Sequence, residues 1–138
     1  MSEASSRSNL VKKLSPLDAV AIESPSTGIG IPDINYTGGW IECKWMKTWP
    51  KSRETRPVRF PHPLTKEQQI WLWRRERKGG TALVCAQVSR EWFFWSGLKM
   101  KEENLWGNMT RPQMIDEAEL YFPNGLNAEI LIEYLRGR

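Results

Sequence analysis

The sequence is poor in the residues that cross-link small domains. Its 138 residues include only two cysteines, Cys43 and Cys85, and each lies in an apolar run without the paired spacing of a zinc or redox site. The single histidine, His62, stands between two prolines, which favours an extended and exposed segment. We therefore predict two reduced core cysteines and a domain that folds without disulfides or a structural metal.

Long apolar runs are also missing. No stretch approaches the roughly 20 residues that cross a bilayer, and the N-terminus MSEASSRSN is polar and unlike a secretion signal. These features predict an intracellular protein with no membrane partner. The length fits one ordinary domain, so a single domain is expected over residues 1–138.

Positive charge is concentrated in the middle of the chain. Residues 44–78 contain eleven Lys and Arg against three Glu, whereas residues 101–138 contain four basic residues against seven acidic ones. This asymmetry predicts one side that faces a polyanion and another that faces solvent or a protein partner.

The apolar periods and turn residues predict an α/β fold. Helices are expected over residues 8–14, 66–78 and 127–135, and strands over 19–23, 31–36, 40–46, 81–88 and 92–95, with a long proline-rich loop at 48–63 that we interpret as functional or mobile. We predict a mixed, mostly antiparallel central sheet flanked by helices. A core at about 19–95 would carry the motifs, and a helical, partner-facing extension would cover about 98–138.

Three ionisable residues fall where strand geometry can bring them together. Glu42 and Lys44 share one face of a strand because alternate side chains point the same way. A tight connection through Gly38 and Gly39 would return Asp33 to the same place. Two carboxylates and a backbone carbonyl suit Mg²⁺, and a neighbouring lysine can stabilise charge that develops on a phosphate.

Pro32-Asp33 and Glu42-Cys43-Lys44 resemble the motif of the PD-(D/E)XK nuclease superfamily, and within it the VRR-NUC domains and phage Holliday-junction resolvases. The resemblance covers residues 19–88 and implies a restriction-endonuclease-like core that uses Mg²⁺ or Mn²⁺. It implies that Asp33, Glu42 and the Cys43 carbonyl bind the metal and that Lys44 assists the attacking water. It also implies an active-site role for Gln68 at the start of a helix.

Nucleases of this type commonly use one more acid, and the sequence offers two candidates. Glu3 lies at the head of the first helix and could act within its own chain or across a dimer. Glu23 ends the strand before the turn that leads to Asp33. The sequence leaves the choice between them open.

Basic and aromatic residues around the motif predict contacts with DNA. Lysines that hold phosphates alternate with Trp45 and Trp49, which could stack on unpaired bases, while most other tryptophans are expected in the core. The basic residues expected to contact DNA are Lys47, Lys51, Arg53, Arg56, Arg59, Arg74, Arg75 and Lys78.

Together these features predict a DNA endonuclease. No element resembles a base-reading helix, so selectivity for branched DNA and a homodimer that makes paired cuts are expected. The alternatives are a flap or single-strand nuclease, and a catalytically silent DNA-binding module with the same fold.

Overall fold

The computed structural model describes residues 2–22 and 29–138. The helices and strands follow in the order α1 (Glu3–Lys13), β1 (Val20–Ala21), β2 (Ile34–Tyr36), β3 (Gly39–Met46), α2 (Lys66–Arg77), β4 (Thr81–Val88), β5 (Glu91–Ser96), α3 (Gly97–Glu102), α4 (Arg111–Glu117), β6 (Leu120–Phe122) and α5 (Ala128–Gly137), with a 3₁₀ turn at Ser15–Leu17. No helix in these two ranges is long and apolar enough to cross a membrane.

The strands form one six-stranded sheet in the order β1-β2-β3-β4-β5-β6. Only β3 and β4 run parallel, and α2 makes the crossover between them, while every other neighbouring pair is antiparallel. The prediction of a mixed, mostly antiparallel sheet flanked by helices is therefore confirmed.

Side chains alternate between the two faces of the sheet and build a core on each. On one face, which we call the α1 face, Ile41 and Cys43 pack with residues of α1 and α5 such as Leu10 and Leu131. On the other, the α2 face, alternate residues of β4 and β5 pack against Leu72 of α2. Both cysteines are buried and free, as predicted.

The C-terminal third is part of this sheet and core, which corrects the prediction of a helical extension after about residue 98. Phe122 of β6 pairs with Trp92 of β5, and Leu131 and Leu135 of α5 are buried in the α1-face core. Strand β6 was not predicted, because three residues are too few to show a strand period.

The long loop before α2 carries no helix or strand, as expected, but it is fixed to the domain. Val58 and Phe60 are buried, and the Val58 N–H donates to the Met109 carbonyl at 2.7 Å. The Arg111 N–H donates to the Arg53 carbonyl at 2.7 Å. These bonds join the loop to the segment that leads into α4.

Candidate functional site at the open edge of β3

One edge of β3 is only half covered by its neighbour. β2 pairs with the first part of β3, from Gly39 to Ile41, and no strand among residues 2–22 and 29–138 pairs with the outward-facing N–H groups beyond it. The Cys43 N–H instead donates to Asp33 Oδ1 at 3.1 Å, and the Trp45 N–H donates to Glu3 Oε1 at 3.2 Å. At this edge two carboxylates thus accept the hydrogen bonds that a neighbouring strand would otherwise accept.

Asp33, Glu42 and Lys44 lie together at this edge. The β2–β3 register, continued by one step from the Ile34–Ile41 pair, places Asp33 opposite Glu42, and directly opposed residues share a face. Lys44 Nζ lies 3.5 Å from Glu42 Oε2, and the two side chains are only 7% and 5% exposed. The structure therefore brings the three predicted residues into one cluster, in which Glu42 and Lys44 are buried and Asp33 is half-buried.

Burial dominates the electrostatics of the two carboxyl groups. It raises the pKa of Asp33 to about 6, against the opposing effects of the Cys43 N–H and the positive charges of Arg7 and Lys44. Burial and the nearby charge of Asp33 together raise the pKa of Glu42 to about 8, against the opposing effect of Lys44. A bound cation would favour the ionised forms of both groups, so binding it would release protons.

Helix α1 places Glu3 and Arg7 at this site, and Arg7 was not among the predicted site residues. Arg7 Nη1 lies 3.8 Å from Asp33 Oδ2. The spacing of residues 3, 7, 10 and 14 places Glu3 and Arg7 on the same helix stripe as the buried Leu10 and Leu14. That spacing was readable in the sequence, but the predicted helix start at residue 8 was wrong, because α1 begins at Glu3.

The earlier start of α1 has a local cause. Ser2 is its N-cap, with an extended backbone and a side chain that accepts a hydrogen bond from the Ser5 N–H. Ser6, 1% exposed, occupies a buried position of the helix. Of the two candidate acids, Glu3 reaches the site within its own chain, and Glu23 lies outside the described residues.

Gln68 caps the start of α2. Its Oε1 accepts from the Thr65 N–H at 2.9 Å and its own N–H donates to Thr65 Oγ1 at 3.1 Å, which completes a capping box. The start of α2 also packs on Gly30, three residues before Asp33. An additional role for Gln68 in catalysis stays a prediction.

The predicted DNA-contacting cations lie at two ends of β3. Lys47 and Lys51 follow its C-terminal end, whereas the Arg75 guanidinium stacks over Trp40 near its N-terminal end, at 5.7 Å from the ring centroid. Seven residues of strand separate these ends by roughly 23 Å. Of the eight predicted cations, seven are exposed and one is half-buried, namely Lys47, Lys51, Arg56, Arg59, Arg74, Arg75 and Lys78, with Arg53 the half-buried one.

The two tryptophans singled out for base stacking differ. The Trp49 indole N–H donates to Glu91 Oε2 at 2.5 Å, and its ring packs edge-on against Phe93 and beneath Arg111. These contacts fix the position of the Trp49 ring, and its role in stacking on a base stays a prediction. Trp45 is half-buried and lines an open cavity on the α1 face.

The donor set at the edge fits a small divalent cation bound partly by water. Within residues 2–22 and 29–138, no three His, Cys, Asp or Glu side chains form a group that could hold a metal ion by themselves. Mg²⁺, however, is commonly bound by one or two carboxylates with water and substrate phosphate completing its shell. Asp33 and Glu42 supply two carboxylates, and the Cys43 carbonyl leaves β3 on the same side as the N–H that binds Asp33.

Comparisons with known proteins add no relative. No protein-family model matches the chain, and no curated protein matches it with a significant score. The resemblance to PD-(D/E)XK nucleases therefore depends on the motif residues and on the geometry described above.

Proposed function

We propose that this chain is a metal-dependent DNA endonuclease with Asp33, Glu42 and Lys44 in its active centre. The observation that carries the proposal is the grouping of two carboxyl groups and one ammonium group, of which Glu42 and Lys44 are buried and Asp33 half-buried, at a sheet edge that no described strand covers. Strongly perturbed acids that meet a specific charge partner are more frequent at functional sites than elsewhere in proteins.

Each residue has a chemical task in this proposal. Asp33 and Glu42 would hold Mg²⁺ or Mn²⁺, and the Cys43 N–H fixes the orientation of the Asp33 carboxylate. Lys44 places a positive charge where negative charge grows on the attacked phosphate. Arg7, 28% exposed, offers a second cation at the mouth of the site. The metal, when bound, would acidify water and polarise the phosphate.

Branched DNA is the substrate class that we propose, with a homodimer as the working form. Exposed cations at both ends of β3 suit a substrate that approaches from more than one direction, because each can hold a phosphate without reading sequence. Paired cuts in a symmetric junction would need two copies of the site, and twofold pairing is the commonest way to supply them.

A catalytically silent DNA-binding module is the second candidate. It is favoured by the ion pairs within the chain, since Arg7 pairs with Asp33 and Lys44 pairs with Glu42. In that case the carboxylates of Asp33 and Glu3 would serve only to cap the edge of β3.

Cleavage of matched substrates separates the candidates. Four-way junction, flap, single-strand and duplex DNA of shared sequence are incubated with protein in Mg²⁺, in Mn²⁺ or in EDTA. We expect cleavage only with metal, fastest on the junction, and slowed about 100-fold or more by Asp33→Asn or Lys44→Met. Asp116→Asn and Lys66→Met change exposed residues of the same types and should cleave like the wild type.

Three outcomes are distinct. A gel shift without nicking in either metal would favour the silent module. Fastest cleavage of flaps or single strands would keep the active centre and change the substrate. Neither binding nor cleavage by a folded protein would overturn the proposal.

A further inference from the structure

A cavity of about 620 Å³ opens on the α1 face of the sheet, beside the C-terminal end of β3. Three side chains of adjacent strands stand in register along its base, because Trp45 pairs with Gln87 and Gln87 pairs with Trp92. Trp92 is buried, whereas Trp45 is half-buried at the opening. The volume lies within the range of about 300–1,000 Å³ that holds small ligands.

The rim of this cavity is positively charged. Lys13 of α1, Lys47 after β3 and Arg90 in the β4–β5 turn all line it and are exposed, and no acidic residue is among its described lining. Three cations around one opening whose described lining contains no acid favour an anionic ligand, and phosphate is the anion that Lys and Arg commonly hold.

Gln87 points to a second property of the ligand. The residue is 4% exposed, and its Nε2 donates to the Ser89 carbonyl at 3.0 Å, which fixes the orientation of the amide. Its Oε1 is buried and has no hydrogen-bond partner in the described parts of the chain. Buried acceptors nearly always have a partner, so this oxygen calls for a ligand with an N–H or O–H donor.

The cavity offers a partner for each part of a nucleotide. The aromatic surface suits the face of a base, the unpartnered acceptor suits an N–H group of that base, and the three cations suit the phosphate. We propose that this cavity binds an unpaired nucleotide of a DNA strand, with its base against Trp45, a base N–H directed to Gln87 Oε1 and its phosphates held by Lys13, Lys47 and Arg90. Every base has both a stacking face and a donor, so the pocket would accept unpaired nucleotides without reading sequence.

The cavity adjoins the candidate active centre in sequence but opens on the opposite face of the sheet from Glu42 and Lys44, because side chains alternate along β3. Trp45 follows Lys44 directly, and while its ring faces the cavity its N–H binds Glu3 at the site edge. The inference rests on the proposed nuclease function for the choice of DNA as the source of the nucleotide. It adds that the preferred substrate carries an unpaired nucleotide.

Binding in EDTA tests the pocket apart from cleavage. The probes are a fluorescent single-stranded oligonucleotide, a blunt duplex of the same sequence, and the same single strand with abasic sites. We expect the wild type to bind the single strand most tightly and Trp45→Ala to weaken that binding roughly five- to 150-fold, the range measured for loss of one stacking contact. Gln87→Met and Arg90→Ala should weaken it too.

Two variants outside the cavity serve as controls. Arg136→Ala removes an exposed cation of α5 that does not line the cavity, and Trp73→Phe changes a tryptophan of α2 on the other face. Neither should alter binding. Arg90 is exposed in a turn, so its variant keeps the test decisive if Trp45→Ala fails to fold.

The nucleotide-binding proposal would be overturned if all three probes bind equally. It would also be overturned if Arg90→Ala and Gln87→Met leave single-strand binding unchanged. Binding that follows the pocket variants without cleavage in Mg²⁺ would overturn the nuclease proposal alone. The nucleotide-binding proposal alone would be overturned if Asp33→Asn abolishes cleavage, the pocket variants leave cleavage unchanged, and the protein shows no preference for unpaired DNA.

Discussion

The carboxylate of Glu3 accepts a hydrogen bond from the backbone N–H of Trp45 at 3.2 Å and so joins the start of α1 to the middle of the sheet. Asp33 makes the equivalent bond to Cys43, two residues earlier on the same strand. Unpaired edge amides invite other strands, and side-chain acceptors protect them. At this edge the same protection also concentrates negative charge beside Glu42.

The first prediction separates the two tasks of Glu3. Glu3→Gln keeps an oxygen for the Trp45 N–H, so we expect unchanged stability and, because the charge is lost, about tenfold slower DNA cleavage. Glu3→Ala leaves the amide unpaired and should lower the free energy of unfolding by about 1–3 kcal/mol. Denaturant unfolding and cleavage assays measure both effects.

Glu129→Gln is the matched control, because Glu129 also occupies the first turn of a helix and is exposed. It should leave cleavage unchanged. Full cleavage activity in Glu3→Gln would restrict Glu3 to edge protection.

The second prediction concerns the pH dependence of stability. The pKa of Glu42 is about 8 in the folded protein and near its ordinary 4.5 when unfolded, so the folded state holds a proton that the unfolded state loses between these values. Without metal, stability should therefore be highest at low pH within this window and should fall, by on the order of a few kcal/mol, as pH rises from 4.5 to 8. Glu42→Gln should flatten this slope.

Urea unfolding in EDTA at pH 5, 6, 7 and 8 measures the effect. Asp33, whose pKa of about 6 lies above its ordinary 3.8, contributes in the same direction at lower pH. A wild-type slope equal to that of Glu42→Gln would contradict the prediction. Added Mg²⁺ should reduce the loss at pH 8 if the carboxylates bind it.

The third prediction compares two glycines that both have positive φ. At Gly30, with φ +82°, an added Cβ would collide with the Glu67 carbonyl oxygen, whereas at Gly79, with φ +100°, it would meet nothing within 4 Å. Gly79→Ala should cost about 1 kcal/mol through backbone conformation alone. Gly30→Ala should cost clearly more, because the loop that carries Asp33 must also move away from α2.

Thermal unfolding and cleavage rates measured well below the transition provide the test. We expect folded Gly30→Ala to have lost cleavage activity and Gly79→Ala to have kept it. Equal losses of stability in the two variants would show that the packing of Gly30 on α2 contributes little.

The fourth prediction uses two capping boxes of the same design. Thr65 and Gln68 begin α2, and Thr110 and Gln113 begin α4 with the same pair of hydrogen bonds. Gln68→Ala and Gln113→Ala should each lower stability by about 0.5–2 kcal/mol. Only Gln68→Ala should slow cleavage beyond what the stability loss explains, if Gln68 also acts in the site.

Gln68→Glu refines that test, because a glutamate can complete a capping box but has no amide N–H group to donate. A variant with normal stability and slow cleavage would support a catalytic role for the amide. Normal cleavage would leave Gln68 as a helix cap.

Local pattern explains which elements could be predicted. The largely apolar β4, the helix α2 and the glycine connection between β2 and β3 each carry their own signal, and all three occur as expected. The start of α1 and strand β6 were missed. The polar start of α1 and the three-residue β6 are stabilised by contacts with the sheet. A local sequence pattern carries no information about such contacts.

By itself the sequence determined that Glu42 and Lys44 share one face of a strand, because side chains alternate along any extended chain. It also determined that Asp33 could return beside them, because Gly38 and Gly39 permit a tight reversal. Only the tertiary structure decided that Glu3 and Arg7 join this group and that Trp49 is held by Glu91. Those relations link residues more than 25 positions apart, and packing of a helix or loop against the completed sheet is what fixes their distances.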